Sequence, residues 1–284
     1  MIVINVVIRN EKKWGYGYHV NIYGDDINMA IYVCGDTHGP IDIDKIREEN
    51  WPEQMSLTKD DFLIILGDFG LIWGREETFE EVDWLDYLEE RPFTTLFVDG
   101  NHENFDRLYK FPRVKFHNGY AHQIRSNVYH LMRGYVFDLQ GYSFFAFGGG
   151  KTRDIQDGII RPNKFNSLED AMRIYVWGRI AGLRQRVEGV HWWKQELPSI
   201  AERNRGIKNL EKVNFEVDYV ITHCLPFKIS SKLYSNDNDI ATLYFDNLLD
   251  KGLRFKEWHC GHYHKTVRLE DKYYIHFNDI QRIV

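Results

Sequence analysis

The sequence predicts an α/β fold in which two mixed β-sheets pack face to face and helices cover their outer faces. Short apolar runs alternate with helical patterns through the first part of the chain, which is typical of βα units, and hairpin patterns follow later. The composition agrees with this fold. In a chain of 284 residues, 43% hydrophobic and 15% aromatic residues are ample for a packed core and exclude a disordered protein.

Five of the apolar runs are each followed by a short polar cluster. The runs are AIYVCG before Asp36, DFLIILG before Asp68, TTLFVDG before Asn101, VDYVIT before His223 and LRFKEWHCG before His262. Runs of this length, rich in Ile, Val, Leu and Phe and mostly ended by Gly, indicate buried strands. Ligands of α/β sheets bind beyond the carboxyl ends of the strands. The five clusters are therefore predicted to form one site.

Helical patterns occupy the segments between these runs. Residues 43–50 are predicted to be helical. A capping box at 78–81 predicts a helix that runs to about Glu90 and stops before Pro92. A short helix is expected at 104–109, after the third polar cluster.

The later strands are predicted to form hairpins. Residues 128–150 contain the runs VYHLM, YVFDL and YSFFAF, with turns at 133–134 and 140–141, and predict a three-stranded meander. The segment TVRLEDKYYIHF predicts a hairpin close to the end of the chain.

The polar clusters contain two carboxylates, one carboxamide and four imidazoles. Oxygen and nitrogen donors without thiolate suit Mn²⁺, Fe, Zn²⁺ or Co²⁺. Seven donors exceed the roughly four that one tetrahedral zinc ion takes, and they suit two ions that share a bridging carboxylate. Residues two apart in an extended chain point the same way, which would direct each D-x-H or H-x-H pair to one place. The seven residues are Asp36, His38, Asp68, Asn101, His223, His262 and His264.

The order of the motifs, D-x-H, G-D, G-N-H-E, H and G-H-x-H, resembles the calcineurin-like metallophosphoesterase family from about Met29 to the C-terminus. The resemblance implies a four-layer αββα sandwich of two mixed sheets flanked by helices. It also implies a dinuclear metal-dependent phosphoesterase, in which hydroxide bridging the metals attacks a phosphate mono- or diester in line. The cofactors expected are two divalent ions, with Mn²⁺ favoured over Fe, Zn²⁺ and Co²⁺.

The resemblance also implies a role for each polar residue. It divides six ligands between two ions, with Asp36, His38 and His264 on one ion and Asn101, His223 and His262 on the other. Asp68 would bridge the two. His102 would be the catalytic residue, either stabilising the phosphoryl oxygens as imidazolium or protonating the leaving group.

One motif departs from the phosphoprotein phosphatases of this family, which continue the second motif as G-D-x-x-D-R-G. Leu71 and Ile72 occupy the positions of the later Asp and the Arg. Neither side chain can orient a histidine or bind phosphate, so the departure leaves the metal site intact and weakens a phosphoprotein-phosphatase interpretation.

Residues 148–198 are interpreted as a lid-like insertion over the site. Between 151 and 188 this segment has eight Lys or Arg against five Asp or Glu, and 167–180 is predicted to be a capped helix. Arg153, in a glycine-rich loop, is the candidate substrate-binding residue. The tryptophans of the segment could stack on a ring of the substrate or pack on the core: they are Trp177, Trp192 and Trp193.

The phosphoester partner could be a small molecule, a nucleotide or a phosphoprotein. Two alternatives to a hydrolase of small phosphoesters remain. One is a nuclease or nucleotide phosphohydrolase, which the basic insertion favours, and the other is a non-catalytic binding module. A net charge of −6 and a pI near 6.1 give no general attraction to nucleic acid or to acidic membranes. Nucleic acid is therefore not favoured as a partner.

Three cysteines, at positions 34, 224 and 260, are expected to be buried free thiols of a cytoplasmic protein. No signal peptide, membrane span or membrane partner is predicted. Residues 1–28 differ in pattern from the rest and are interpreted either as a β-hairpin extension or as preceding a native start at Met29. Residues 29–284 would then be the metallophosphoesterase domain.

Overall fold

The structure is a computed structural model that describes residues 29–234 and 238–284. The strands are β1 Ile31–Cys34, β2 Phe62–Leu66, β3 Thr94–Val98, β4 Arg113–Phe116, β5 Gly119–Arg125, β6 Val128–Leu131, β7 Tyr135–Leu139, β8 Tyr142–Phe147, β9 Ile159–Ile160, β10 Arg186–Val187, β11 Tyr219–Thr222, β12 Glu257–Cys260, β13 Val267–Leu269, β14 Tyr273–Ile275 and β15 Ile280–Arg282. The α-helices are α1 Phe79–Glu90, α2 Phe105–Leu108, α3 Leu168–Ile180, α4 Ile200–Glu211, α5 Phe227–Ser230 and α6 Ile240–Asp250. The predicted extension, 1–28, lies outside the described residues.

Two mixed sheets carry the fold. The first has the order β15-β1-β2-β3-β6-β5-β4, and the second has the order β13-β14-β12-β11-β8-β7. Strands β1, β2, β3 and β6 are parallel, as are β8, β11, β12 and β14, and antiparallel strands complete the edges. The small pair β9 and β10 forms a separate parallel ribbon.

The sheets pack face to face through a core of alternate side chains. Val33 and Ile64 contribute from the first sheet, and Phe144 and Ile221 contribute from the second. On the outer face of the first sheet, α1 buries Leu85 against strand residues, and on the outer face of the second sheet α6 buries Phe245. Burying a side chain of this size stabilises the fold by about 1.5–3 kcal/mol. The predicted four-layer α/β sandwich is confirmed.

Most local predictions agree with the structure. The five strands before the polar clusters are present, and α1 begins after Thr78, whose side chain accepts a hydrogen bond from the backbone N–H of Glu81 at 3.2 Å. The predicted helix at 43–50 is wrong in type and length, because only Ile43–Ile46 forms a helix and that helix is 3-10. The N–H of Arg47 donates to the carbonyl of Asp44, three residues back, and Arg47 itself is extended, which ends the helix.

The predicted three-stranded meander is wrong at its first turn. β6 pairs with β3 and β5 in the first sheet, whereas β7 and β8 belong to the second. The chain changes sheets at Arg133, a fully buried residue whose guanidinium is paired with the buried carboxylate of Asp99. Gly134 then adopts φ +78° and its N–H donates to the carbonyl of Ala146. A buried ion pair, which local sequence does not reveal, thus sits at the crossing.

The site is positioned by the edge where parallel strands end. β1, β2 and β3 run in register, so their carboxyl ends lie side by side, and the same is true of β11 and β12 in the facing sheet. The polar clusters that follow these five strands therefore meet at one edge of the sandwich.

Candidate metal centre

Four predicted ligands form one compact group of donor atoms. Asp36, His38, Asp68 and His264 each offer one ligand atom, and these atoms all lie within 4.8 Å of one another. His38 Nε2 is 3.3 Å from Asp68 Oδ2, and His264 Nε2 is 3.3 Å from Asp36 Oδ2. This is the spacing of groups that could share one cation.

A second group lies on the other side of the same aspartate. His223 Nε2 is 3.3 Å from Asp68 Oδ1 and 3.3 Å from Asn101 Oδ1. His262 Nδ1 is 3.1 Å from His223 Nε2. The two carboxylate oxygens of Asp68 therefore face different sets of donors, and the structure brings all seven predicted ligands together.

The backbone reaches this arrangement by tight turns rather than by extended chain. The expectation that the two residues of each spaced pair point the same way holds for Asp36 and His38, which share one donor group, and is wrong for His262 and His264. Four of the residues have left-handed backbone angles, with φ +46° at both His38 and Asp68, +70° at His262 and +49° at His264. Such conformations are costly for residues other than Gly and concentrate at functional sites. They also place His262 and His264 in different donor groups.

A glycine before Asp68 makes room for a histidine of the facing sheet. Gly67 adopts φ +93°, and a Cβ at this position would lie 2.1 Å from Nδ1 of His223. Any larger residue would therefore displace that imidazole.

Two hydrogen bonds hold imidazole rings in defined orientations. Nδ1 of His223 donates to the carbonyl of Leu66 at 2.9 Å, and Nδ1 of His38 lies 2.7 Å from Oδ2 of Asp42. Each bond leaves Nε2 directed at the donor groups, as partners of this kind do for metal-bound histidines. Asp42 was not predicted from the sequence; a carboxylate four residues after a candidate ligand was the available signal.

The pocket attracts positive charge. Burial opposes protonation of the imidazoles, yet Asp68 raises the pKa of His38 to about 9 and that of His223 to about 10 through hydrogen bonding and charge. Burial favours a neutral Asp68, but the positive charges of His223 and His102 hold the pKa of its carboxyl well below the usual range. A divalent cation would supply the same charge and release the protons from its ligands.

A comparison with protein families identifies the class of this centre. The model of the calcineurin-like phosphoesterases matches residues 29–266, which is most of the chain. The chain belongs to the calcineurin-like phosphoesterase family. The resemblance found in the motifs is thereby confirmed, and the family and the donor cluster support a metal-dependent phosphoesterase. No curated protein matches the sequence.

The donors of this centre fit divalent metal ions. They are carboxylate, carboxamide and imidazole groups, which suit Mn²⁺, Fe, Zn²⁺ and Co²⁺. The three cysteines of the described chain are buried and form no disulfide, as expected, and Cys224 donates to the carbonyl of Gly149. The donors gathered at the centre are therefore nitrogen and oxygen atoms, and no thiol is among them.

His102 lies beside the donor groups with its ring against aromatic neighbours. Its centroid is 5.3 Å from that of His38 and 5.4 Å from that of Trp73. Burial lowers the pKa of His102, and the charges of His38 and Arg186 lower it further against the opposing charge of Asp68. Trp73 was not predicted to contribute to the site.

The segment that departs from the phosphoprotein-phosphatase motif serves the core. Leu71 and Ile72 are buried there. Glu103, the last residue of the G-N-H-E motif, to which the sequence assigned no role, is fully buried and accepts hydrogen bonds from the N–H groups of Phe69 at 2.8 Å and Gly70 at 3.3 Å. Burial and the nearby Asp68 raise the pKa of Glu103 well above its usual range. This carboxyl holds the loop that presents Asp68.

The segment 148–198 contains β9, α3 and β10 around a small core of Ile160, Ala171 and Val187. Trp192 and Trp193 are buried, which agrees with the packing interpretation, whereas Trp177 is 69% exposed. The guanidinium of Arg153 lies over Tyr234 and Tyr263, with its Cζ 4.7 and 5.5 Å from the ring centroids. Its charge contributes to the lowered pKa of His262, which burial and the charge of His223 dominate.

No helix in the described ranges 29–234 and 238–284 has the length and apolar character needed to cross a bilayer.

Proposed function

We propose that the protein is a dinuclear metal-dependent hydrolase of phosphate mono- or diesters. The observation that carries the proposal is the position of Asp68, whose Oδ2 faces His38 and whose Oδ1 faces His223, each at 3.3 Å from the ring nitrogen. One ion would be held by Asp36, His38 and His264 and the other by Asn101, His223 and His262, with Asp68 shared. Mn²⁺ is the favoured metal, with Fe, Zn²⁺ or Co²⁺ as alternatives.

Two divalent ions bound there would activate a water molecule and neutralise charge on the phosphoryl oxygens. The residues of the chain supply the rest of the mechanism. Asp68 and the six other ligands orient the centre, and the buried His223 excludes water from one side. His102 assists the departing oxygen by proton transfer or by a hydrogen bond, since its ring lies beside the donor groups, 5.3 Å from that of His38.

The insertion at 148–198 is proposed to act as a lid within one phosphoesterase domain, residues 29–284. Arg153 remains a candidate for binding the substrate, because it lies near His262 and carries a positive charge. The substrate would be a phosphoester of a small molecule, a nucleotide or a phosphoprotein.

Replacement of Asp68 by Asn tests the proposal. The variant keeps the size of the side chain but loses the charge that two ions would share, so we expect both metal content and hydrolysis of model esters to fall. Elemental analysis and turnover of a phosphomonoester and a phosphodiester with added Mn²⁺ are the measurements. Asp83→Asn, at an exposed position on α1, is the matched control. Full turnover by a metal-depleted Asp68→Asn protein contradicts the mechanism.

A nuclease or nucleotide phosphohydrolase is the second candidate. The exposed Trp177 and Arg173, which lie on α3 of the insertion, could bind a base and a phosphate. This function predicts binding of polynucleotides that weakens steeply with salt, whereas a hydrolase of small phosphoesters binds DNA and RNA poorly. A non-catalytic binding module is disfavoured, since all seven candidate ligands and His102 lie together.

A further inference from the structure

His264 differs from the other candidate ligands in its exposure to water. Its side chain is 54% exposed, whereas that of His38 is 12% exposed and those of Asp36 and Asp68 are buried. The three ligands of the second donor group are buried or half-buried as well. His264 is therefore the ligand that can turn away from the centre with the least displacement of buried structure.

The orientation of the His264 ring is set by aromatic contacts. The ring stacks on Phe277, with the two centroids 4.9 Å apart and the planes 12° from parallel. It also meets the ring of His38 at 4.9 Å and an angle of 82°. Hydrogen bonds to Nδ1 hold the rings of His38 and His223, whereas His264 rests on a phenyl ring. This stack keeps Nε2 of His264 directed at Oδ2 of Asp36, 3.3 Å away.

The backbone of Phe277 is tied to the loop that carries Asp36. The ammonium of Lys45, on the 3-10 helix Ile43–Ile46, donates to the carbonyl of Asp36 at 2.6 Å and to the carbonyl of Phe277 at 2.5 Å. The N–H of Phe277 donates to Oδ1 of Asp279 at 3.2 Å. Both polar groups of the Phe277 backbone are therefore paired, and its ring has a fixed base.

The turn that carries Phe277 also packs closely on the residue before Asp36. A Cβ at Gly35 would lie 2.0 Å from the carbonyl oxygen of His276 and 2.8 Å from Cα of Phe277. Segments from opposite ends of the described chain thus meet beside a metal ligand. The contact fixes the distance between Phe277 and the centre, so the phenyl ring is a rigid support for the exposed imidazole.

We propose that Phe277 is a positioning residue for His264, and that this ring pair controls how fast the ion of the first donor group leaves the centre. The proposal rests on the proposed dinuclear function and concerns one of its two ions. Release of an ion requires its ligands to give way to water one after another, and the exposed His264 is the ligand best placed to move first. Stacking on Phe277 opposes that movement, because an aromatic pair contributes attraction beyond its buried area.

Transfer of Co²⁺ from the loaded protein to an excess of chelator, followed by visible absorbance, tests the proposal without a substrate. We expect two phases, one for each donor group. Phe277→Ala should speed one phase about 3- to 10-fold, which corresponds to the loss of one aromatic pair, and leave the other unchanged. Phe277→Tyr keeps the ring and should release Co²⁺ as the wild type does. His264→Ala should lack the affected phase and so identifies it.

Phe111→Ala is the matched control, because Phe111 is also half-buried and packs on the core cluster that contains Leu85. It should lower the stability of the fold and leave both phases unchanged. Equal rates in Phe277→Ala and the wild type overturn the proposal, as does equal acceleration of all bound Co²⁺. Should Phe277→Ala fail to fold, Phe277→Leu, which keeps an apolar side chain without a ring, takes its place with the same expectation.

The same measurements separate this proposal from the proposed function. A wild type that shows both phases, and a selective effect of Phe277→Ala, but hydrolyses no ester contradicts the phosphoesterase function and leaves the role of Phe277 intact. A wild type that hydrolyses esters while Phe277→Ala releases Co²⁺ at the wild-type rate overturns only the role of Phe277. A wild type that retains no Co²⁺ overturns both.

Discussion

The α-carbon of Gly100 lies directly against Asp68. A Cβ at Gly100 would be 2.0 Å from Oδ1 of Asp68 and 2.3 Å from its backbone nitrogen. The same Oδ1 accepts hydrogen bonds at 2.7 Å from the N–H groups of Asn101 and His102. The motif around Gly100 therefore fixes the carboxylate of Asp68 from the neighbouring strand end, and the glycine is required for the close approach.

Gly100→Ala is expected to displace Asp68 and to destabilise the fold by about 1–3 kcal/mol, as overpacked sites do. Metal content per chain, turnover and the free energy of unfolding should all fall. Gly178→Ala on α3 is the control: its Cβ would lie 2.5 Å from the end of the Gln185 side chain, which can turn away, and 3.6 Å from Leu183, an ordinary contact. Equal metal content in Gly100→Ala and the wild type would show that the close approach has no functional consequence.

Asp42→Asn is expected to weaken one of the two metal sites. Asp42 lies 2.7 Å from Nδ1 of His38 and fixes the orientation of that ring. Removing a partner of this kind typically lowers metal affinity about 10- to 100-fold. Titration of the metal-free protein with metal should show a lowered affinity at one site and an unchanged affinity at the other. Asp44→Asn, an exposed neighbour paired with Arg47, should leave both affinities unchanged, and loss of both ions in Asp42→Asn would argue against separate sites.

Trp73→Ala is expected to lower kcat by roughly 10- to 100-fold with metal content unchanged, because a misplaced catalytic group slows chemistry to this extent. The indole of Trp73 packs on His102 and is itself supported by Trp193, whose Nε1 donates to Asp106 at 3.0 Å. Trp73→Phe should restore much of the rate. Phe79→Ala removes an exposed ring at the start of α1 and serves as the control; a similar loss of rate in both variants would contradict a specific role for Trp73.

The buried carboxyl of Glu196 is expected to make the free energy of unfolding fall as pH rises. Burial raises the pKa of its carboxyl to about 7, against an ordinary value near 4.5, although Thr152 donates to it through both N–H and hydroxyl. The folded protein therefore holds a proton that the unfolded chain releases between about pH 4.5 and pH 7. The proton on Glu196 therefore stabilises the folded state fully below pH 4.5. This contribution is at most about 3 kcal/mol and is lost as pH rises through 7.

Chemical unfolding at pH 5 and pH 8 checks this dependence. Glu196→Gln keeps the shape and one acceptor oxygen, which can accept from the N–H of Thr152, and it carries no titratable proton. Its unfolding free energy should therefore change less between the two pH values than that of the wild type. Glu80→Gln, at an exposed position, should behave as the wild type does. An unaltered pH dependence in Glu196→Gln would mean that another group is responsible.

Local pattern was enough to predict the elements whose neighbours in sequence are also their partners in space. The run FLIIL became β2, and Thr78 capped α1 as predicted, because strand burial and helix capping are properties of a few consecutive residues. The antiparallel pairing of β15 with β1 was not predicted, since the two strands lie at opposite ends of the described chain. The assignment of β6 and β7 to different sheets was missed for the same reason.

The sequence by itself determined the donor types, their order and the strand ends that carry them, since each depends on residue identity and local periodicity. Only the tertiary structure decided the distances at which Asp68 meets His38 and His223, and that Trp73 packs on His102. Those relationships join residues from distant parts of the chain. The left-handed turns are held by hydrogen bonds between strand ends, from the N–H of His38 to the carbonyl of Asp68 and from the N–H of His262 to Oδ1 of Asp36, each at 2.8 Å. Contacts of this kind have no local pattern in the sequence.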